Sequence, residues 1–346
     1  MGAIASDESA DPATESDAQT EAGVDEPPPV LEVRNLSVRF RDRRGVGHAI
    51  DDVSFSVRPG EALGIVGESG SGKSVTALAV MGLLPANAEI EGEILFKGVD
   101  LAALPPKARR GYRGKHLSMI LQDPMSSLDP VFRIRTQINE PLRIHQGLRR
   151  REREQAALHM LRLLQVPAPE RVMRSYPHEL SGGMRQRVAG AIALACQPEV
   201  LLADEPTTAL DATVQANFLD ILDQAQTRLG FGTVLITHDF GVVARLCTRV
   251  VVMYSGRVME AGATRDVLRS AANPYTVGLL KSLPDAKRKI DVLPSIAGSP
   301  PSIFDRPAGC PFHPRCPVAT DECGEEMPGA TEIGPGHLSR CWRHDD

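Results

Sequence analysis

The chain has 346 residues, 42% of them hydrophobic and 24% charged, with a formal net charge of -5 and a pI near 6.0. That length and apolar content suit one main domain with additions and a sizeable core, and the mildly acidic balance gives no basic footprint for nucleic acid. No run approaches the roughly 18 consecutive apolar residues of a spanning helix, and no basic start followed by an apolar run marks a secretion signal, so the expectation is a cytoplasmic chain that meets a membrane only through partners.

Residues 1–29 hold eight acidic residues and no Lys or Arg, and end in Pro27-Pro28-Pro29. Such a segment buries too little apolar surface to offset its ordering entropy, which predicts a disordered tail. From Val30 the texture changes. LEVRNLSVRF and DDVSFSV alternate like half-buried strands, and EALGIVG is a short apolar strand running into glycines. SVTALAVMGLL predicts a helix stopped at Pro85. EGEILFKGVDL and HLSMILQ read as strands, the second ending at Gln122. Residues 134–165 look helical, and the basic run from Arg149 to Glu154 is a solvated helix face. Strand EVLLADE, helix TVQANFLDILDQAQTRL, strand TVLITHD, helix FGVVARLC and strand RVVVMYSGRVME follow. This alternation predicts an α/β fold, a parallel sheet covered by helices on both faces. From about 266 to 346 the rhythm stops and Pro and Gly become frequent, which marks a C-terminal extension.

Two motifs in this framework carry phosphate chemistry. Gly67-Glu68-Ser69-Gly70-Ser71-Gly72-Lys73-Ser74 matches G-x-x-x-x-G-K-S/T, after a strand and before a helix. Glycines let successive backbone N–H groups turn inward around phosphate oxygens, and the following helix points its positive end at the same anion. Lys73 would neutralise β- and γ-phosphates, and the Ser74 hydroxyl would ligate Mg²⁺. VLLADEP ends an apolar strand in Asp204 and Glu205. Asp204 can hold Mg²⁺, usually through water. Glu205 can act as general base on the attacking water, a role that contributes on the order of 10²–10⁴-fold in rate. The phosphate motif alone leaves a GTPase, a kinase and a motor open.

Leu180-Ser181-Gly182-Gly183-Met184 opens the segment LSGGMRQR. Here the sequence resembles the ABC ATPase superfamily, whose hallmark is LSGGQ followed by a basic helix, with Met184 in place of the usual Gln. Ser181, Gly182 and Gly183 would start a helix with exposed N–H donors, a second anion site. The resemblance implies that this corner covers the γ-phosphate held by another subunit's P-loop. It further implies that Gln122 contacts Mg²⁺ and the attacking water, that Ala209-Leu210-Asp211 forms the D-loop, that His238 contacts the γ-phosphate, and that Phe40 stacks on adenine. It covers roughly residues 30–265, with a helical insertion at about 123–185 that would grip a short helix of a membrane subunit, and leaves 266–346 as the extension.

ANPYTVGLLKSLP (272–284), AGSPPS (297–302) and GCPFHPRCP resemble the dipeptide/oligopeptide importer branch, which also includes nickel and glutathione importers. The resemblance implies a peripheral ATPase at the cytoplasmic face of the cell membrane. Its partners would be a second ABC ATPase subunit of a different chain, two transmembrane permease subunits and an extracytoplasmic substrate-binding protein. A soluble ABC ATPase acting on DNA or ribosomes is the alternative; the coiled-coil or zinc insertions, or second ATPase core, of those proteins are not seen. Cys310, Cys316, Cys323 and Cys341 are spaced C-x5-C-x6-C-x17-C. Four thiolates from a Pro/Gly-rich segment suit a tetrahedral metal or an iron–sulfur cluster. Proteins resembling this one can carry a 4Fe-4S cluster there; Zn²⁺, free thiols or disulfides are the alternatives, with His313 and His337 as further ligand candidates. A redox sensor gating the ATPase is a further reading of this region. Cys196 and Cys247 read as ordinary buried thiols.

Overall fold

The structure, a computed structural model, describes residues 27–123, 127–207, 210–283 and 295–343. The expected tail therefore lies outside the described residues except for Pro27–Pro29.

The first half of the chain builds an antiparallel layer. β1 (Leu31–Asp42), β2 (Gly45–Val57), β4 (Ala88–Phe96) and β5 (Val99–Asp100) pair in the order β2-β1-β4-β5. In β1 the inward positions are Leu31 and Val33, then Leu36 and Val38. The extra residue in that spacing is a bulge, with the pairing to β2 shifting between Val33 and Leu36 and Asn35 at φ 48°. Without it every later side chain of the strand would turn to the wrong face.

The second sheet has the order β11-β12-β10-β9-β3-β8-β7-β6 among the described residues. Its centre is β3 (Ala62–Val66), paired in parallel with β8 (Gly232–Thr237) and β9 (Arg249–Tyr254). β7 (Val200–Asp204) and β6 (Leu117–Ile120) continue it in parallel on the β8 side. Every residue of β3, β7 and β8 is buried, as their unbroken apolar runs require of strands covered on both faces. The principal helices are α1 (Lys73–Met81), α2 (Ile134–His145), α3 (Arg150–Leu163), α4 (Gly182–Leu194), α5 (Ala212–Leu229), α6 (Phe240–Leu246), α7 (Thr264–Arg269) and α8 (Pro274–Lys281). Ile134, Ile138 and Leu142 of α2 meet Ala157, Met160 and Leu161 of α3 in one apolar cluster with α4, the spacing of a helix that buries a single stripe.

Two segments depart from the sequence expectation. RVVVMYSGRVME is not one strand but two, β9 and β10 (Arg257–Ala263), joined by Ser255 and Gly256 at φ 45° and 79°. Two successive left-handed residues make the tight turn whose twist suits a hairpin. The C-terminal segment also has more order than its composition suggests. β11 (Thr331–Gly334) and β12 (His337–Ser339) extend the main sheet from β10, with Glu260 opposite Ser339. The seam is held by a buried polar knot. Glu260 is fully buried and accepts from the Ala272 and Asn273 amides at 2.8 and 3.2 Å, and His337 Nε2 lies 2.8 Å from its Oε1. A carboxylate so buried is tolerated only with such a set of partners.

Candidate nucleotide site

β3 delivers the chain into Gly67, whose φ is 152°. A Cβ there would collide with the Met253 carbonyl oxygen, and one on Gly72 (φ 102°) would meet Ile50 Cδ1 at 2.6 Å, so both positions demand glycine. Lys73 opens α1 and is 5% exposed. Its Nζ donates to the Gly67 and Glu68 carbonyls at 2.8 and 2.9 Å and to Ser71 Oγ at 3.4 Å. Burial pushes its pKa down, opposed by the charges of Glu205, Asp204 and Glu68. A desolvated ammonium curled into a loop of inward backbone is a strong partner for an anion. Ser69 and Gly70 stay at the open rim, while Ser71 is buried.

Beside it, the Ser74 hydroxyl donates to Asp204 Oδ1 at 3.0 Å. Burial raises the Asp204 pKa, partly offset by that hydrogen bond and by Lys73. A hydroxyl and a desolvated carboxylate in contact are the hard oxygen donors that fit Mg²⁺. Glu205 follows at φ 43°, a left-handed backbone that is costly for a non-glycine residue. Its carboxylate accepts from Gln122 Nε2 at 3.1 Å and lies 3.3 Å from His238 Nδ1. Side chains from the carboxyl ends of β3, β6, β7 and β8 thus converge, where open α/β sheets place their ligands.

The remaining expected residues sit elsewhere. Phe40 is half-buried on β1 against the antiparallel core, opposite Gly47. Leu180 is buried, while Ser181 caps α4, its Oγ accepting from the Met184 amide at 3.4 Å. Gly182 is exposed, and a Cβ on Gly183 would meet Val214 Cγ1 at 2.7 Å. Asp211 caps α5, accepting from the Val214 amide at 3.0 Å. The signature residues and Asp211 therefore share one corner with each other; Ala209 lies outside the described residues.

Sequence reasoning missed the contribution of the C-terminal segment. Tyr275 OH accepts from the Glu68 amide at 2.9 Å, and Arg315 grips the Glu68 carboxylate at 2.7 and 3.0 Å. Both residues stood inside strings read as family markers, NPYT and GCPFHPRCP; an arginine between two cysteines was the one available signal.

The expectation of an iron–sulfur cluster or zinc at Cys310, Cys316, Cys323 and Cys341 is corrected. Among the described residues no group of three or more His, Cys, Asp or Glu side chains is placed to hold a metal ion. All four are free thiols lining one small cavity. Burial pushes Cys310 up to about 11 and raises Cys316 and Cys341. The sulfurs also have local partners: Cys323 Sγ lies 3.2 Å from Thr320 Oγ1, and Cys341 Sγ accepts from the Arg343 amide at 3.4 Å. His337, a candidate ligand, is committed to Glu260.

Residues 50–208 match the family described as ABC transporter, and residues 259–323 match the one described as oligopeptide/dipeptide transporter, C-terminal region. The chain is 47% identical to the probable peptide ABC transporter ATP-binding protein y4tR of Sinorhizobium fredii, over 92% of this chain and 96% of that one. It is 45% identical to the oligopeptide transport ATP-binding protein OppD of Haemophilus influenzae, over 91% and 97%. The dimeric, post-hydrolysis ATP-binding cassette MJ0796 bound to ADP and Pi superposes with a TM-score of 0.61 at 27% identity, covering 68% of this chain and 99% of that one. No described helix is long and apolar enough to cross a membrane. With nearly full-length relatives of this identity and the P-loop fold in place, the chain belongs to the ATP-binding proteins of peptide ABC transporters.

Proposed function

We propose that this chain hydrolyses ATP to drive uptake of di- or oligopeptides through membrane partners at the cytoplasmic face. The observation that carries the reading is the convergence of Lys73, the Ser74–Asp204 pair and the Gln122–Glu205–His238 cluster at one edge of the main sheet. In this reading residues 30–265 are the ATPase domain, with its helical insertion at 123–185, and 266–346 its extension.

The amides of Gly67–Ser74 and the Lys73 ammonium hold the β- and γ-phosphates, and Phe40 stacks on adenine. Ser74 and Asp204 would hold Mg²⁺, which when bound neutralises phosphate charge. Glu205 takes a proton from a water whose oxygen attacks the γ-phosphorus as the bond to the bridging oxygen breaks, leaving ADP and phosphate. Gln122 and His238, already within reach of Glu205, orient that water and the γ-phosphate. Ser181, Gly182 and Gly183 close over the γ-phosphate held by a second ATPase subunit, as an N-terminal helix end suits an anion. The dimeric, ADP- and Pi-bound state of the similar cassette supports this pairing.

Force reaches the membrane through an open groove of about 1040 Å³ lined by Leu121, Leu128, Phe132, Arg135, Glu140 and Arg143. Phe132 is half exposed there, and Leu121, which precedes Gln122 in the chain, lines the same groove. Its mixed apolar and charged rim fits a short amphipathic helix of a permease. Peptide cargo rests on the relatives' transport role and on the C-terminal match. The test is transport in proteoliposomes carrying the chain with its permeases and binding protein. Labelled tripeptide should enter only with ATP, and Lys73→Ala should abolish entry; uptake undiminished by that substitution removes the reading.

A further inference from the structure

The P-loop is tied to a part of the chain far from it in sequence. Glu68, second residue of the phosphate motif, is held on every polar atom. Its amide donates to Tyr275 OH, its carbonyl accepts from Lys73 Nζ at 2.9 Å and the Ser71 amide at 3.2 Å, and its carboxylate is forked by Arg315. Arg315 in turn is fixed in place. Its side chain is 6% exposed, and it donates to Tyr254 OH at 3.0 Å and to the Ala297 and Ile296 carbonyls at 2.8 and 3.2 Å. Its guanidinium lies 5.6 Å from the Tyr254 ring centroid and 5.9 Å from that of Phe312. Tyr254, Tyr275 and Phe312 form one aromatic cluster with centroids 4.6 to 5.4 Å apart. Such a planar fork, packed and bidentate, fixes a carboxylate in a way a lysine does not.

We propose that Arg315 is a positioning residue for nucleotide: by pairing with Glu68 it cancels a negative charge inside the phosphate-binding loop and fixes that loop's shape, making ATP affinity depend on this one contact from the C-terminal segment. The inference rests on reading residues 67–74 as the phosphate cradle. A carboxylate in a loop that must receive a polyanion is repulsive unless neutralised. Glu68 also lies near enough to act on Lys73, whose ammonium feels its charge. Loss of Arg315 leaves Glu68 to oppose the phosphates and to compete for Lys73.

The test is calorimetric ATP affinity of the full chain, with ATPase rates at saturating ATP. Arg315→Met should weaken ATP binding by about tenfold, the effect of one uncompensated nearby charge, with kcat changed by less than about twofold. Adding Glu68→Gln should restore affinity to within about threefold, because the offending charge is gone. Arg340→Met removes another tie of the same segment, the 2.6 Å bond to Asp52 Oδ2; it should lower Tm and leave ATP affinity unchanged. The proposal falls if folded Arg315→Met binds ATP like the parent, if the double variant is as weak as the single, or if Arg340→Met weakens binding equally. Should Arg315→Met not fold, Arg315→Lys replaces it: a partial loss restored by Glu68→Gln supports the proposal, and equal affinities overturn it. Lys73→Ala separates the two levels. If it keeps full affinity, the cradle reading fails and this inference with it; if it loses affinity while Arg315→Met does not, only the positioning role fails.

Discussion

The molecule has two glycine-rich corners at helix starts, and they are finished to different degrees. At Gly67–Ser74 the corner is closed: Lys73 and Asp204 are each 5% exposed, and the ammonium has three oxygen partners inside its own loop. At Leu180–Met184 the corner is open: Ser181 and Gly182 face solvent, and among the described residues the Ser181 hydroxyl is engaged by its own helix cap. Both present amides at the positive end of a helix, the device that binds anions. One corner is already organised as an anion would need, whereas the other offers donors with no acceptor among the described residues. That asymmetry is what a composite site requires, in which each copy of the open corner completes a closed corner on another subunit.

The sharpest way to break this comparison lies on the closed side. Glu205→Gln keeps the size of the side chain and an oxygen for Gln122 while removing the proposed base. ATPase turnover should fall by on the order of 10²–10⁴-fold, with ATP still bound and a dimer accumulating on a sizing column. Turnover within twofold of the parent, measured as released phosphate, would remove Glu205 from the chemistry. On the open side Ser181→Ala should act differently. ATP affinity of the monomer should stay unchanged, while kcat of the assembled ATPase pair falls roughly tenfold or more, as loss of a hydrogen bond to a charged group does. The cap loss adds about 1 kcal/mol of destabilisation. Weakened ATP binding to isolated monomer would place the two corners on the same nucleotide and end the asymmetry.

The closed corner was legible because its parts are contiguous or follow strands whose apolar runs are unmistakable. Gly67 to Ser74 is one string, and Asp204 and Glu205 sit where VLLA stops. What stayed hidden depends on contacts between distant residues or on short elements. Arg315 and Glu68 are 247 positions apart, and nothing local marks either as the other's partner. The turn at Ser255-Gly256 was masked by apolar residues on both sides, which read as one strand until the left-handed pair is seen. β11 and β12 have four and three residues, too few for a period of two to show. The cysteine spacing was read for convergence, and the thiols do line one cavity. Spacing does not report burial, which raises the Cys310, Cys316 and Cys341 thiols.

A smaller effect sharpens the comparison at its geometric root. Both corners need glycine, for different reasons. At Gly67 an added Cβ meets a backbone oxygen of β9, at a backbone angle that side chains avoid; no side-chain change elsewhere can make room. At Gly183 the φ is ordinary for a helix and the obstacle is the Val214 side chain, with Cγ1 2.7 Å from the added Cβ. Gly183→Ala should therefore cost about 1–3 kcal/mol as overpacking, partly offset by about 1 kcal/mol gained from replacing a helical glycine. Val214→Ala in the same chain should recover most of the loss, because the clash rather than the backbone is at fault. Thermal unfolding of the two singles and the double measures the coupling. Simple additivity would mean that α4 and the start of α5 do not press on one another, and the signature corner would then be free to move independently of Asp211.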